Sequence, residues 1–513
     1  MTAEKNTDQA AETYKKSPAG TSAGGSVLGT PDAKPAINRE EDKVQLYADR
    51  VKVFPRRVYG TFRSIKWIVM ALSLSIYYLT PWIRFDRGPG VPDQAVLIDM
   101  PARKAYFFWI EIWAQEVYYA TGLLILAAMI LFLMTSLAGR VWCGYACPQT
   151  VWTDLFVHIE RWIQGDRNQR MKLEKAPWGP SKIFKKFFTH ICFMIVSILT
   201  GGAFVFYFGD APTLAVQLVT GDAPMTSYLF IAITAGFTYL LGGIAREQVC
   251  IYMCPWPRIQ GALVDENSLL VTYNKDRGED RGPHKKGDTW EGRGDCIDCK
   301  QCVAVCPMGI DIRNGFQLEC IQCALCVDAC NGIMEKIDRP KNLIGYAPTH
   351  VDMAGGKVTQ ETKILRPRIF IYMGMIAIVC GIMLTSLFTR SDIELNVLKD
   401  RNPLFVTLSS GEIRNGYTVN ILNKQHVDRP VYVRVSGIEG AQIRTAFSEP
   451  AKQVKTTVPP DDMRSLRVFV LVDGKIATTG DLADGKGEVT FEVLDENGTL
   501  LLDHDSAFNS AGK

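Results

Sequence analysis

The sequence predicts a multi-domain membrane protein: an α-helical transmembrane bundle of about five helices, an inserted α+β domain dense in cysteine, and a C-terminal all-β immunoglobulin-like sandwich. Three observations predict it. Five apolar runs approach the length of a bilayer crossing, about 20 residues for a helix. Eight of the 14 cysteines fall between Cys296 and Cys330. After Thr389, short β-rich runs alternate with turn signals, the pattern of a sandwich.

Composition narrows the function classes. The net charge of +3 over 513 residues gives no field that would gather nucleic acid. A hydrophobic content of 47% suits a chain partly in lipid and partly in water. A secreted disulfide scaffold is short and spreads its cysteines along the chain. Here they cluster, which argues for reduced, metal-binding thiolates.

Taken in order, residues 1–45 are nearly free of large apolar side chains and are expected to be a disordered cytoplasmic tail with no secretory signal peptide. Residues 46–262 form the membrane region, with spans at 65–83, 118–139, 187–208 and 226–245; a fifth lies at 369–388. Lys and Arg crowd the segment before the first span and the segment 140–186, while the loop 209–225 has none. By the positive-inside rule the N-terminus and residues 246–368 face the cytoplasm, and the loops 84–117 and 209–225 face outward. The expected location is the bacterial inner membrane, multi-pass and in contact with lipid, with the region 392–513 periplasmic. In that region strands are expected at 404–408, 417–422, 431–435, 466–472 and 488–494. Asn415-Gly416 and Asp473-Gly474 read as turns.

The cytoplasmic segment 263–365, with its core at 290–340, carries the most specific motif. Cys296-x2-Cys299-x2-Cys302-x3-Cys306-Pro307 is followed by Cys320-x2-Cys323-x2-Cys326-x3-Cys330. This is the bacterial two-cluster ferredoxin run, given twice, in which the fourth cysteine of each run ligates the other cluster. One 4Fe–4S cluster is therefore expected on Cys296, Cys299, Cys302 and Cys330, and a second on Cys320, Cys323, Cys326 and Cys306. Asn331 stands where the second run would have proline, a change to the turn and not to the ligand count.

Two further pairs repeat each other. Arg140-Val-Trp-Cys143-Gly-Tyr-Ala-Cys147-Pro148 follows the second span, and Arg246-Glu-Gln-Val-Cys250-Ile-Tyr-Met-Cys254-Pro255 follows the fourth. A spacing of four would put both sulfurs of a pair on one helical face. If the two ends meet, four thiolates converge, a set that suits copper(I), zinc or an iron–sulfur cluster. Arg140 and Arg246 would stabilise the thiolates. His158 could join a metal site but reads better as the face of an amphipathic interfacial helix, and Met253, between Cys250 and Cys254, is a weak copper-ligand candidate. Cys192 and Cys380, alone in apolar runs, read as packing residues.

Together the WCGYACPQ and CIYMCPWPR segments, the double ferredoxin run and the terminal sandwich resemble the CcoG family, also called FixG or RdxA, the accessory protein of cbb3-type cytochrome c oxidase. The resemblance spans nearly all of residues 50–510. It implies a cupric reductase: copper(II) reduced to copper(I) at Cys143, Cys147, Cys250 and Cys254, with electrons relayed from the two 4Fe–4S clusters and the copper(I) destined for the oxidase. The implied partners are copper ions, the oxidase or its assembly factors, and a cytoplasmic electron-donor protein, since no nucleotide or flavin motif is visible. The alternative reading is an electron-transfer or assembly subunit with a third cluster or a quinone link and no copper substrate.

Overall fold

The computed structural model describes residues 52–88, 90–284, 289–348, 365–446, 448–474, 476 and 485–510; the expected tail over 1–45 lies outside them. Four helices have the length and apolar composition to cross a membrane: Ala114–Ala138, Pro180–Val205, Met225–Ala245 and Pro367–Phe388. Their outer faces carry bare apolar side chains such as Leu124, 72% exposed, as a lipid-facing surface does. Between helices the contacts are small and polar, in keeping with association in lipid. A Cβ on Gly201 would sit 2.6 Å from the Ile231 carbonyl oxygen, and the Tyr119 and Ser386 hydroxyls are 3.0 Å apart.

The first expected span differs from these four. It forms the helix Thr61–Leu79, but Arg63 and Lys66 occupy its first two turns. Both are buried, and Arg63 reaches Asp154 at 2.8 Å. Charged groups buried at one end shorten the apolar stretch, so the bundle has four apolar spans and a fifth helix whose apolar run starts at Trp67.

The loop 84–117 is more ordered than its sequence suggests. Strands β1 (Val96–Asp99), β2 (Lys104–Phe107) and β3 (Ile110–Trp113) form an antiparallel sheet. Glu116, 2% exposed, follows β3 and takes Lys424 Nζ at 2.6 Å and Arg390 Nη1 at 3.5 Å. That ion cluster fixes the C-terminal domain at the start of the helix Tyr118–Ala138. The other end of the same helix meets the cysteine-rich domain, where β4 (Leu269–Tyr273) pairs antiparallel with β5 (Ile344–Pro348). The two soluble parts thus sit at opposite ends of the bundle.

The C-terminal domain is an immunoglobulin-like sandwich. Strands β6 (Ile393–Lys399), β7 (Val406–Thr407), β8 (Ile413–Asn423), β10 (Gln442–Thr445) and β12 (Asp462–Val472) make one antiparallel sheet, ordered β10-β12-β8-β6 with β7 on β8. Strands β9 (Arg429–Ser436), β11 (Gln453–Val458), β13 (Lys486–Leu494) and β14 (Leu500–Asn509) make the other, ordered β11-β9-β13-β14. Alternate residues point inward, and Tyr417, Val419, Ile421, Val431, Val433, Phe491 and Phe508 are fully buried between the sheets. Four strands, β6, β10, β11 and β14, escaped the sequence reading because their inward apolar residues alternate with many polar ones. Asn415-Gly416 is not a turn: it lies inside β8. There the buried Asn415 side chain donates to the Asn509 carbonyl at 2.8 Å and accepts from its N–H at 3.0 Å.

Candidate metal centres

Two cavities in the cysteine-rich domain are lined by thiols. Cys296, Cys299, Cys302 and Cys330 surround one, together with Tyr273, Arg313 and Met334. Cys306, Cys320, Cys323 and Cys326 surround the other, which Cys302 also touches. The backbone repeats itself around them. Asp298 and Lys300, on either side of Cys299, have φ of 50° and 53°; Gln322 and Ala324, on either side of Cys323, have 55° and 56°. Non-glycine residues in this region are uncommon, and backbone of this kind folds its N–H groups into a concave nest for an anionic group. The helices Gln301–Val305 and Leu325–Lys336 then lead away from the two cages.

The two runs end differently because of one residue. Cys306 leaves its helix with ψ of 123°, as the residue before a proline must avoid the α region. Cys330 stays inside the helix Leu325–Lys336, which Asn331 in place of proline allows to continue. The Asn331 side chain also accepts from the Asn342 N–H at 2.7 Å, closing the cage from outside.

Burial pushes these thiols up: Cys302 and Cys320 to about 11, Cys306 and Cys330 to about 12. Buried thiols hold their protons until a cationic centre replaces them. That centre is wider than one ion. Four thiolates on a single zinc stand about 3.8 Å apart, given metal–sulfur bonds of about 2.3 Å. Among the described residues, no three cysteine sulfurs lie within 4.8 Å of one another. The cages fit clusters.

The paired cysteines come together less symmetrically than their sequences. Cys143 is buried on the short helix Val141–Tyr145, while Cys147 precedes Pro148 with ψ of 128°. Cys250 lies on a π-helical turn, Val249–Met253, and Cys254 precedes Pro255 with ψ of 124°. So the sulfurs of a pair do not share one helical face; the proline forces its preceding cysteine out of the helix. The four thiols remain neighbours. Burial first, then Cys147, Cys143 and Cys254, push Cys250 up to about 12, and burial with Cys147 and Cys254 pushes Cys143 up to about 11 against the pull of Arg140. Here too no three of the sulfurs lie within 4.8 Å of one another.

This group abuts the second cage. Cys143 and Cys250 pack in one apolar cluster with Met308, Ile321, Cys323 and Cys326. A Cβ on Gly144 would lie 2.6 Å from the Ile321 carbonyl oxygen and 3.0 Å from the Cys323 Cα, so only glycine permits this approach. The Tyr145 hydroxyl donates to the Cys323 carbonyl at 3.1 Å. The Cys143 thiol donates to Gln260 Oε1 at 3.2 Å. Arg140 donates to the Leu318 carbonyl. No spacing rule singles out Gly144, Tyr145 or Gln260; only the fold places them.

The remaining sequence candidates stand apart. Arg246 does not serve the thiols as Arg140 does: Glu160 holds it, and also holds Arg170 at 3.0 Å. His158 packs edge-on against Trp67 with centroids 4.8 Å apart. Met253 is 63% exposed. Cys192 and Cys380 are half-buried on the helices Pro180–Val205 and Pro367–Phe388.

Comparison with known proteins agrees with this layout. The family described as a 4Fe-4S dicluster domain matches residues 245–349, and one described as a 4Fe-4S binding domain matches residues 120–167. The Ig-like fold at the C-terminus of FixG matches residues 383–511. The nitrogen fixation protein FixG of Rhizobium meliloti is 48% identical over 88% of this chain and 92% of its own. The chain belongs to the FixG family. Two proteins of Cereibacter sphaeroides are similar to it as well: RdxB, 47% identical over 91% of this chain and 98% of its own, and RdxA, 50% identical over 77% and 84%. As a FixG-family member the chain is a membrane iron–sulfur redox protein. Its dicluster match begins ahead of Cys250 and Cys254, and the second iron–sulfur match takes in Cys143 and Cys147, so both membrane pairs fall within iron–sulfur segments.

Proposed function

We propose that this chain is a membrane-bound cupric reductase, which takes single electrons from a cytoplasmic donor protein and reduces copper(II) to copper(I) for assembly of a cbb3-type oxidase. The observation that carries the reading is the contact between the four membrane thiols and the second cage, through Gly144, Tyr145 and Cys323. In this reading Cys296, Cys299, Cys302 and Cys330 hold one cluster and Cys306, Cys320, Cys323 and Cys326 the other, on the cytoplasmic side of the inner membrane. When bound, the clusters supply the one-electron chemistry that the reduction needs. The chain's own residues order the sites. Cys299 opens the first cage to solvent, on the side where a donor can dock. The second cage is buried against the membrane pairs. Each copper(II) takes one electron, and the thiolates of Cys143, Cys147, Cys250 and Cys254 stabilise the copper(I) product because soft sulfur ligands prefer it.

A second reading has its own support. An iron–sulfur family covers Cys143 and Cys147, and the dicluster family takes in Cys250 and Cys254. A third cluster at those four cysteines would make the chain an electron-transfer subunit with no copper substrate.

Two measurements on the purified full-length protein separate the readings. Dithionite-reduced wild type should produce copper(I), detected with a copper(I)-selective chelator, and the double variant Cys143→Ser, Cys254→Ser should lose most of that activity; unchanged activity removes the thiol site from the reaction. Iron should come to about eight atoms per chain for two cubanes. About twelve, falling to eight in the double variant, selects the third cluster.

A further inference from the structure

We propose a metal site far from every cysteine, at the joint between the outer hairpin and the sandwich: Glu111, His426 and Asp461, taking a divalent ion of the copper(II) or zinc(II) class. It does not rest on either reading of the thiol sites. Each ligand comes from a different element. Glu111 lies on β3, His426 in the turn between β8 and β9, and Asp461 in the turn between β11 and β12. One ligand atom from each, all three together, fall within 4.8 Å of one another, the only such group of His, Cys, Asp or Glu among the described residues.

The surroundings point to a cation between them. Glu111 is 8% exposed. Its carboxylate faces His426 Nε2 at 3.4 Å; Lys104 and Arg87 act on it only electrostatically, with no direct hydrogen bond or close ion pair from outside the trio among the described residues. Asp461 uses one oxygen, Oδ2, for Lys104 Nζ at 2.6 Å. Its other oxygen, Oδ1, is buried with no hydrogen-bond partner. A buried carboxylate oxygen without a partner is costly, and here it stands beside a second buried carboxylate and an imidazole nitrogen. A divalent ion joined to Asp461 Oδ1, a Glu111 oxygen and His426 Nε2 satisfies all three at once, with water completing the coordination.

The donor set gives the class. One nitrogen and two carboxylate oxygens suit zinc(II) and copper(II), whereas copper(I) prefers sulfur. Among divalent ions such a set binds copper(II) most tightly. The chain would then hold oxidised copper by nitrogen and oxygen at one end of the bundle, with its soft sulfur ligands at the other. Lys104, over the Trp113 ring at 3.9 Å, and Arg87 also face the Glu111 carboxylate electrostatically, so the ion would share the two carboxylates with these cations.

The test uses full-length protein in detergent with its clusters in place and oxidised, titrated with copper(II) and read by electron paramagnetic resonance. The expected result is one equivalent with oxygen ligands and coupling to a single nitrogen, displaced by zinc(II). His426→Gln should abolish the nitrogen coupling and weaken binding at least tenfold, by comparison with the roughly 10–100-fold lost when even an outer supporting group is removed. His426 is partly exposed, its side chain 37% accessible, so this variant is not expected to disturb folding. Asp461→Asn should weaken binding while keeping the nitrogen signal. Cys143→Ser with Cys254→Ser should leave the signal intact. A nitrogen-coupled signal that survives His426→Gln, or one that disappears in the cysteine variant instead, overturns the proposal.

Discussion

The pair Cys143 and Cys147 and the pair Cys250 and Cys254 share an upstream arginine, a spacing of four and a following proline, yet the fold gives them different work. In the first pair, Gly144 lets backbone press on backbone at Ile321, Tyr145 is 8% exposed and bonded to Cys323, and Arg140 reaches Leu318. In the second, the matching positions are Ile251, Tyr252 and Arg246. Tyr252 is 51% exposed, and Arg246 turns away to Glu160. The first pair is the fixed side of the thiol group, joined to a cage; the second closes over it from a π-helical turn. A repeat in sequence therefore marks a shared chemistry, while one glycine and one acidic partner set the asymmetry.

The largest expected effect tests the arginines. Glu160→Gln leaves Arg246 and Arg170 buried beside a neutral partner and should cost about 3–5 kcal/mol, read as a lower midpoint of thermal unfolding in detergent. A loss below about 1 kcal/mol would mean that Arg246 can turn to the thiols, restoring the symmetry that the sequence suggests. Next is the glycine. Gly144→Ala forces a Cβ against backbone and should cost about 1–3 kcal/mol, as overpacking does. Gly144→Ile, which copies the second pair, should cost more and lower the iron content of the purified protein. Tyr145→Phe removes one hydrogen bond to the second cage, worth about 1 kcal/mol. Smallest is Met253→Leu, on the exposed rim of the second pair, with a change inside about 0.5 kcal/mol. If Met253→Leu instead abolished copper(I) production, the open side would be a ligand and not a rim.

Much of the fold was legible in the sequence because its signals are local. Long apolar runs mark four spans without help from neighbours. The first helix was harder: Arg63 and Lys66 look like flanking charges until Asp154 appears beside them. In the sandwich, the strands with strong apolar alternation stood out, while β10 and β11 did not, and Asn415-Gly416 imitated a turn from inside a strand.

The sequence by itself determined the donor chemistry: the spacing from Cys296 to Cys330 is that of a two-cluster ferredoxin run, and the cysteine–proline steps at Cys147, Cys254 and Cys306 leave the helix because proline excludes the α region before it. Only the tertiary structure decided which of these groups meet. Gly144 and Ile321, Arg246 and Glu160, and the trio Glu111, His426 and Asp461 are far apart in the chain. No periodicity connects them; their meeting depends on how the helices, hairpin and sandwich pack, which is where the asymmetry of the two cysteine pairs arises.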